Sequence, residues 1–134
     1  MNHFYSEDEV AFKEMVADFA QTNIKPLVNK MDHEAQMDKE LIKKFFELGL
    51  MGIESPEKYG GAGATFFMAC LAVEELSKVD GSCGVLVDVQ NTLVTNAFLR
   101  WGNDAQKEKY LPKMAREWVG AYCLTESVSG SDAF

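Results

Sequence analysis

The chain has 134 residues and a formal net charge of −8, with 47% hydrophobic and 25% charged residues. This size and composition are typical of one globular domain and exclude a disordered chain. The acidic charge argues against a nucleic-acid partner, whose phosphates need a basic surface. No apolar run approaches the roughly 20 residues that span a bilayer, so we expect no membrane insertion.

The cysteines and histidines point away from disulfides and metals. The chain has an odd number of cysteines, Cys70, Cys83 and Cys123, and no C-x-x-C pair. This pattern predicts buried thiols in a reducing compartment. His3 and His33, the two histidines, lack the spacing of metal ligands. We therefore predict no metal site.

The first half of the chain predicts two helices and a break. Ser6 and Glu9 form a capping box before a helix that Pro26 ends or kinks. A second helix is capped by Asp38 and ends at Gly49. A turn-rich loop, residues 55–63, follows.

The second half predicts three more helices. Thr65 caps an apolar helix that ends at Asp80–Gly81, and Asn103 or Asp104 caps the last one. Between them, a segment that opens at Ser82 is apolar nearly all round from Val85 to Leu99, so we expect this helix to be the buried one.

The segment from residue 118 onward, which we call the tail, loses the helical spacing of apolar residues. Residues 118–125 are β-branched and aromatic, which predicts a strand, and apolar side chains on both faces are typical of the inside of a sheet. A single strand has nothing to pair with. We therefore expect this tail to be disordered or to pair across a chain contact, while the helices stay compact. The predicted fold class is mainly α, followed by the first strand of a truncated β-domain.

Two motifs admit a functional and a structural interpretation. Glycines at positions 60, 61 and 63 could cradle a phosphate, but a tight turn is favoured because no clear strand precedes them. Glu74 and Glu75 could act as an acid–base pair. Adjacent helical residues diverge by about 100°, which favours one glutamate packed against a neighbouring helix and one in water.

Four blocks of the sequence resemble the acyl-CoA dehydrogenase family in order and spacing. The last block, residues 122–132, resembles the family's flavin-binding signature, with Thr-Glu followed by Ser-Gly-Ser-Asp. The other blocks are Leu48-Gly49-Leu50-Met51-Gly52-Ile53 with Pro56-Glu57-x-Tyr59-Gly60-Gly61-x-Gly63, then Val73-Glu74-Glu75-Leu76-Ser77, and Gly102-Asn103-Asp104-x-Gln106-Lys107-x-Lys109-Tyr110-Leu111-Pro112. Together they cover nearly the whole chain.

The resemblance implies a domain organisation. Residues 1–117 would be the family's N-terminal helical domain and residues 118–134 the start of its middle β-domain. Family members also have a C-terminal helical bundle, are usually homotetramers, and hold FAD between the β-domain and the bundle.

The resemblance also implies the site residues. The flavin-binding segment would be Tyr122, Cys123, Leu124, Thr125, Glu126, Ser127, Val128, Ser129, Gly130 and Ser131. The backbone near Leu124 and Thr125, with the Thr125 hydroxyl, would meet the isoalloxazine edge, and Ser131 would lie where FAD and acyl-CoA both approach. Val128 stands where the family often has glycine, so a positive φ there would be strained.

A substrate pocket is implied on the predicted buried helix. Val85, Leu86 and Val89 would line part of the acyl pocket, and their moderate size suits a short or branched chain. Plain core packing is the alternative for these three residues. The segment Val89-Gln90-Asn91-Thr92-Leu93 further resembles the short and branched-chain members.

The implied activity is α,β-dehydrogenation of an acyl-CoA, with FAD passing electrons to an electron-transfer flavoprotein. The family's catalytic glutamate lies in the C-terminal bundle of most members, so no catalytic residue is assigned here, Glu126 included, and we expect the fragment alone to be inactive. Alternatives are an acyl-CoA oxidase, a nitroalkane-oxidase-like member, or a non-catalytic helical interaction module. The location would be the cytoplasm in a bacterium and the mitochondrial matrix in a eukaryote.

Overall fold

Helices make up most of residues 4–132, the part of the chain that the computed structural model describes. Seven α-helices lie in this range: α1 (Glu7–Phe19), α2 (Val28–Glu34), α3 (Lys39–Glu47), α4 (Phe66–Ser77), α5 (Gly81–Asp88), α6 (Asn96–Trp101) and α7 (Asp104–Arg116). π-helical turns occupy Ala20–Ile24 and Val89–Thr95, and 3-10 turns occupy Lys25–Leu27, Leu50–Gly52 and Glu57–Tyr59. The predicted mainly helical fold class is confirmed.

Capping residues begin most of these helices where the sequence predicts them. The backbone N–H of Ser6 donates to the Glu9 carboxylate at 2.7 Å, and the Ser6 hydroxyl accepts from the Glu9 N–H. Asp38 and Thr65 cap α3 and α4 with the same kind of bond. Asn103, rather than Asp104, caps α7.

Two helix boundaries have local causes. Pro26 lies in the 3-10 turn between α1 and α2, which confirms the predicted break. Helix α5 begins at Gly81 instead of Ser82, because the Asp80 carboxylate accepts a hydrogen bond from the backbone N–H of Cys83 at 2.9 Å. Gly49 follows α3 with φ +78°, which the missing side chain permits.

The core lies between α1, α3, α4 and α5. Helix α4 packs against both α1 and α5. Fully buried side chains fill the space between these helices, among them Val16, Ile24, Leu41, Phe45, Leu76 and Val87. The helices therefore bury their apolar stripes against one another, as the sequence predicts.

The prediction of a helix buried all round is wrong. The segment forms α5, the π turn Val89–Thr95 and α6, and only one side of it faces the core. Val87 is fully buried, whereas Val85 is 60% exposed and Leu93 is 41% exposed. Periodicity counts apolar positions but does not tell which apolar face a neighbouring helix covers.

The prediction of three buried thiols is wrong for two of them. Cys83 is buried, but Cys70 and Cys123 are exposed. Cys70 lies on the outer side of α4, near the exposed Phe66, and Cys123 lies in the tail.

The tail has no regular secondary structure and forms no strand within the described residues. Residues 118–125 have no ladder partner, and an isolated antiparallel bridge joins Glu126 to Ser129. A strand exists only through its pairing, so the predicted strand is not formed here. The start of the tail is nevertheless attached to the helices, because the side chain of Gln90 bonds the backbone of Trp118 and Gly120. The domain boundary between residues 117 and 118 stays a prediction.

Candidate functional site

An open groove of about 760 Å³ lies between α5 and the tail. We call it the α5 groove. One wall comes from α5 and the π turn and the other from the tail, and the lining residues are Gly81, Ser82, Val85, Leu86, Val89, Gly120, Ala121 and Tyr122. The groove therefore brings the three predicted substrate residues together with the first residue of the predicted flavin-binding segment.

The groove surface is apolar and accessible. Val85 is exposed, and Leu86 and Val89 are half-buried, whereas Val87 between them points into the core. Core packing thus does not account for Val85. Ser131, the other predicted substrate residue, is exposed and does not line this groove.

A second, smaller groove of about 300 Å³ lies on the other side of Tyr122. Glu54, Asn96 and Arg100 give it a polar rim, and its other lining residues are Phe66, Thr92, Leu93, Ala97 and Trp101. The Asn96 side-chain amide donates to the Glu54 carboxylate at 3.1 Å. Desolvation raises the pKa of Glu54, an effect that Asn96 and Arg100 only partly oppose.

Sequence reasoning missed this second groove. A signal was available, because Leu93, Ala97 and Arg100 recur at helical spacing on one face. The contribution of Glu54 could not be anticipated, since it comes from a turn far away in the chain.

The first residues of the predicted flavin-binding segment present backbone N–H groups without internal partners, whereas the Ser129 hydroxyl and the Gly130 N–H bond to Asp132. Within residues 4–132, the backbone N–H groups of residues 121–125 make no hydrogen bond. The Thr125 side chain is exposed, and the backbone of Glu126 and Ser129 closes a small turn through two hydrogen bonds of 2.9 and 3.3 Å. Free N–H groups and hydroxyls next to an apolar groove fit the polar edge of a flavin ring.

The turn after Thr125 is not strained at Val128. Among residues 4–132, the non-glycine residue with positive φ is Ala35 and not Val128. Val128 is 92% exposed, so its side chain meets no neighbour in this turn. The strain expected from a β-branched residue at this position is absent.

The two glutamates Glu74 and Glu75 do not converge on a reaction centre. Glu75 is buried and pairs with Lys78 at 2.7 Å and Lys13 at 3.4 Å, while Glu74 lies at the surface and also pairs with Lys78. Hydrogen bonding from Lys78 lowers the pKa of Glu74. The structural interpretation of this pair is confirmed.

The glycine loop forms a tight turn. Gly60 and Gly63 have φ of +82° and +61°, and a side chain at Gly61 would overlap Ser55. The N–H groups of Gly61 and Gly63 donate to carbonyls of the chain itself, those of Pro56 and Ser55. These donors are therefore occupied and do not face an anion.

Two further features bear on the predicted function classes. His33 is exposed near the end of α2, and His3 lies outside the described residues. None of the helices between residues 4 and 132 combines the length and hydrophobicity needed to cross a bilayer.

Comparison with known proteins gives consistent matches. The family described as acyl-CoA dehydrogenase, N-terminal domain, matches residues 6–117. A probable short/branched chain specific acyl-CoA dehydrogenase of Dictyostelium discoideum is 50% identical over 96% of this chain and 31% of its own length. This chain thus spans about a third of that relative.

Solved structures share the fold. Butyryl-CoA dehydrogenase from Megasphaera elsdenii superimposes with a TM-score of 0.89 and 34% identity, over 99% of this chain and 36% of that one. A chain in a structure described as electron transferring flavoprotein of Acidaminococcus fermentans gives a TM-score of 0.92 and 40% identity, over 99% and 35%. The match over residues 6–117 shows that this chain belongs to the acyl-CoA dehydrogenase family and contains the family's N-terminal domain.

Proposed function

We propose that this chain is the N-terminal part of an FAD-dependent acyl-CoA dehydrogenase that introduces an α,β double bond into an acyl thioester. The observation that carries the proposal is the α5 groove, in which Val85, Leu86 and Val89 face Tyr122, the start of the flavin-binding segment. An acyl chain in this groove would lie beside a bound flavin.

The groove favours a short or branched acyl chain. Its helical wall consists of side chains of moderate size, Val85, Leu86 and Val89, on consecutive turns. Such side chains supply shape and apolar contact, which is how small apolar groups are selected. The name of the Dictyostelium relative supports the same substrate class.

The residues that would hold FAD are those of the tail. The unpaired N–H groups near Leu124 and Thr125, with the Thr125 hydroxyl, would bind the polar ring edge, and Ser129 to Ser131 would lie further along the cofactor. Cys123 and residues 126–128 complete the segment. When bound, FAD supplies the hydride acceptor for the substrate's β-hydrogen.

The remainder of the parent protein would supply the other parts of the reaction. We assign no catalytic base among the described residues, because no carboxylate is among the residues that line the α5 groove. A glutamate outside this chain would remove the α-proton. Homotetramer formation also belongs to the parent, and its location would be the cytoplasm in a bacterium or the mitochondrial matrix in a eukaryote.

The electron acceptor would be an electron-transfer flavoprotein. The similarity to a chain in the Acidaminococcus fermentans structure supports this partner. An oxidase of the same superfamily would instead pass its electrons to oxygen, and a nitroalkane oxidase would act on a different substrate class.

The test uses the purified full-length parent. We expect stoichiometric FAD, and reduction of electron-transfer flavoprotein with short straight or branched acyl-CoA substrates but not with a long-chain one. Residues 1–134 alone should bind FAD poorly and show no turnover, because a cofactor site normally buries most of its ligand. A full-length protein without flavin would contradict the proposal, and peroxide formation at a matching rate would favour the oxidase.

A further inference from the structure

Gln90 is a fully buried glutamine in the π turn Val89–Thr95, and its side chain bonds three backbone groups. Its Nε2 donates to the carbonyl oxygens of Met114 at 2.8 Å and Trp118 at 2.9 Å. Its Oε1 accepts from the N–H of Gly120 at 2.7 Å. Both amide hydrogens and the carbonyl oxygen are therefore used.

These bonds determine where the tail lies. From residue 119 to residue 125, the bond from Gly120 to Gln90 is the only backbone hydrogen bond found within residues 4–132. The Met114 carbonyl belongs to the last turn of α7, where intrahelical partners are missing. Gln90 thus joins the end of α7 and the start of the tail to one point in the helical domain.

Close packing at Gly120 fixes the same point independently. A Cβ at Gly120 would lie 2.5 Å from Cγ1 of Val94, which is a residue of the same π turn. The tail can approach the π turn this closely only because Gly120 has no side chain. The next two residues, Ala121 and Tyr122, line the α5 groove.

The π turn therefore serves both parts of the proposed site. Val89 lines the groove, the adjacent Gln90 holds the tail, and Asn91 points away to bond Leu50 and Ile53. Consecutive side chains of a helical turn point in different directions, so these three residues reach different neighbours, and π turns are frequent at functional sites.

We propose that Gln90 is a positioning residue that fixes the flavin-binding segment against the α5 groove through its bonds to Trp118 and Gly120. The inference rests on the proposed function. By holding the backbone two residues before Tyr122, Gln90 sets where the flavin edge lies relative to the acyl chain. A methionine would fill the same space but leave three backbone groups without partners, and a glutamate would face two carbonyl oxygens.

The experiment compares variants of the full-length parent protein. Gln90→Met removes the side-chain amide that bonds Met114, Trp118 and Gly120. Gly120→Ala leaves Gln90 unchanged but adds a methyl group that meets Val94, so it displaces the tail. Asn91→Leu is the matched control, because Asn91 is an equally buried amide in the same turn that bonds Leu50 and Ile53 instead of the tail. The readouts are the FAD dissociation constant of the apoprotein, the visible flavin spectrum, and the thermal midpoint Tm.

We expect Gln90→Met and Gly120→Ala each to weaken FAD binding by about tenfold or more and to alter the flavin spectrum. Asn91→Leu should lower Tm at least as much but leave the FAD dissociation constant within about twofold. If Gln90→Met does not fold, the FAD dissociation constant and flavin spectrum of Gly120→Ala test the inference instead.

Two results would overturn the inference and leave the proposed function standing. One is FAD binding by the Gln90 and Gly120 variants with wild-type affinity and spectrum. The other is an equal loss of FAD affinity in Asn91→Leu, because lower stability of the whole domain would then explain the weaker FAD binding of all three variants. A wild-type parent that binds no FAD would overturn the proposed function, and this inference with it.

Discussion

The buried side chain of Asn91 accepts a hydrogen bond from the backbone N–H of Ile53 at 2.8 Å. The same side chain donates to the carbonyl oxygens of Leu50 and Val87. One amide thus joins the π turn to the loop that follows α3, in a place that water does not reach.

Asn91→Ala should lower the free energy of unfolding by about 3 kcal/mol, because it leaves buried donors and acceptors unpaired. Urea unfolding followed by circular dichroism measures the change. The exposed Asn29→Ala is the control and should change stability by less than about 0.5 kcal/mol. A loss below about 1 kcal/mol for Asn91→Ala would mean that solvent replaces these bonds.

The three thiols should differ in reactivity. Burial raises the pKa of the Cys83 thiol to about 12, with Asp80 adding to the effect, whereas Cys70 and Cys123 are exposed. The thiolate is the reactive form, so Cys83 stays protonated and covered at pH 8. A thiol titration of residues 1–134 should give two fast groups in the folded state and the third only after unfolding. Three fast groups in the folded protein would contradict the structure.

Glu54 should make stability depend on pH. Desolvation raises its folded pKa, so the folded state binds this proton more tightly than the unfolded state. The contribution of Glu54 to the free energy of unfolding therefore rises as pH falls through its folded pKa. This contribution levels off below the ordinary pKa of a glutamate, about 4.3.

Glu54→Gln keeps an acceptor for Asn96 and removes the charge. It should raise Tm slightly at pH 7, and the difference from wild type should vanish below about pH 4. Glu108→Gln, at an exposed position on α7, controls for the change in net charge. A Tm difference for Glu54→Gln that is equal at pH 7 and pH 4 would exclude titration of this carboxyl as its cause.

The helix boundaries could be predicted from the sequence because their causes are local. Ser6, Asp38 and Thr65 lie within three residues of the N–H groups that they cap, so spacing alone reveals them. The family resemblance added Val85, Leu86 and Val89, which the structure places along one groove. Their role in substrate binding stays a prediction.

Features that depend on distant partners could not be predicted. Gln90 and Asn91 interrupt an apolar pattern, and nothing in the spacing tells that their partners lie at positions 114–120 and 50–53. A strand likewise depends on a neighbour that periodicity cannot supply, which is why the predicted strand is absent from the tail. Apolar side chains such as Val85 are indistinguishable from core residues until the packing is known.

The size of Val89 should limit the acyl chain. In the full-length parent, Val89→Ala widens the α5 groove and should move the preferred acyl-CoA chain length upward, measured as kcat/KM across a chain-length series. The matched control is Val73→Ala, a half-buried valine of α4 that does not line the groove. An unchanged chain-length profile for Val89→Ala would place this residue outside the substrate pocket.

Hydrogen exchange on residues 1–134 should separate the tail from the helices. Within the described residues, the amides of residues 121–125 have no hydrogen-bond acceptor, so they should exchange nearly as fast as in an unfolded chain. The Gly120 amide donates to Gln90 and should be slower, and amides in the core-facing part of α5 should be slowest. The Gln90→Met variant should bring Gly120 to the rate of its neighbours. Strong protection of residues 121–125 in a demonstrated monomer would show that the tail finds backbone partners in solution, and would contradict the absence of such partners within the described residues.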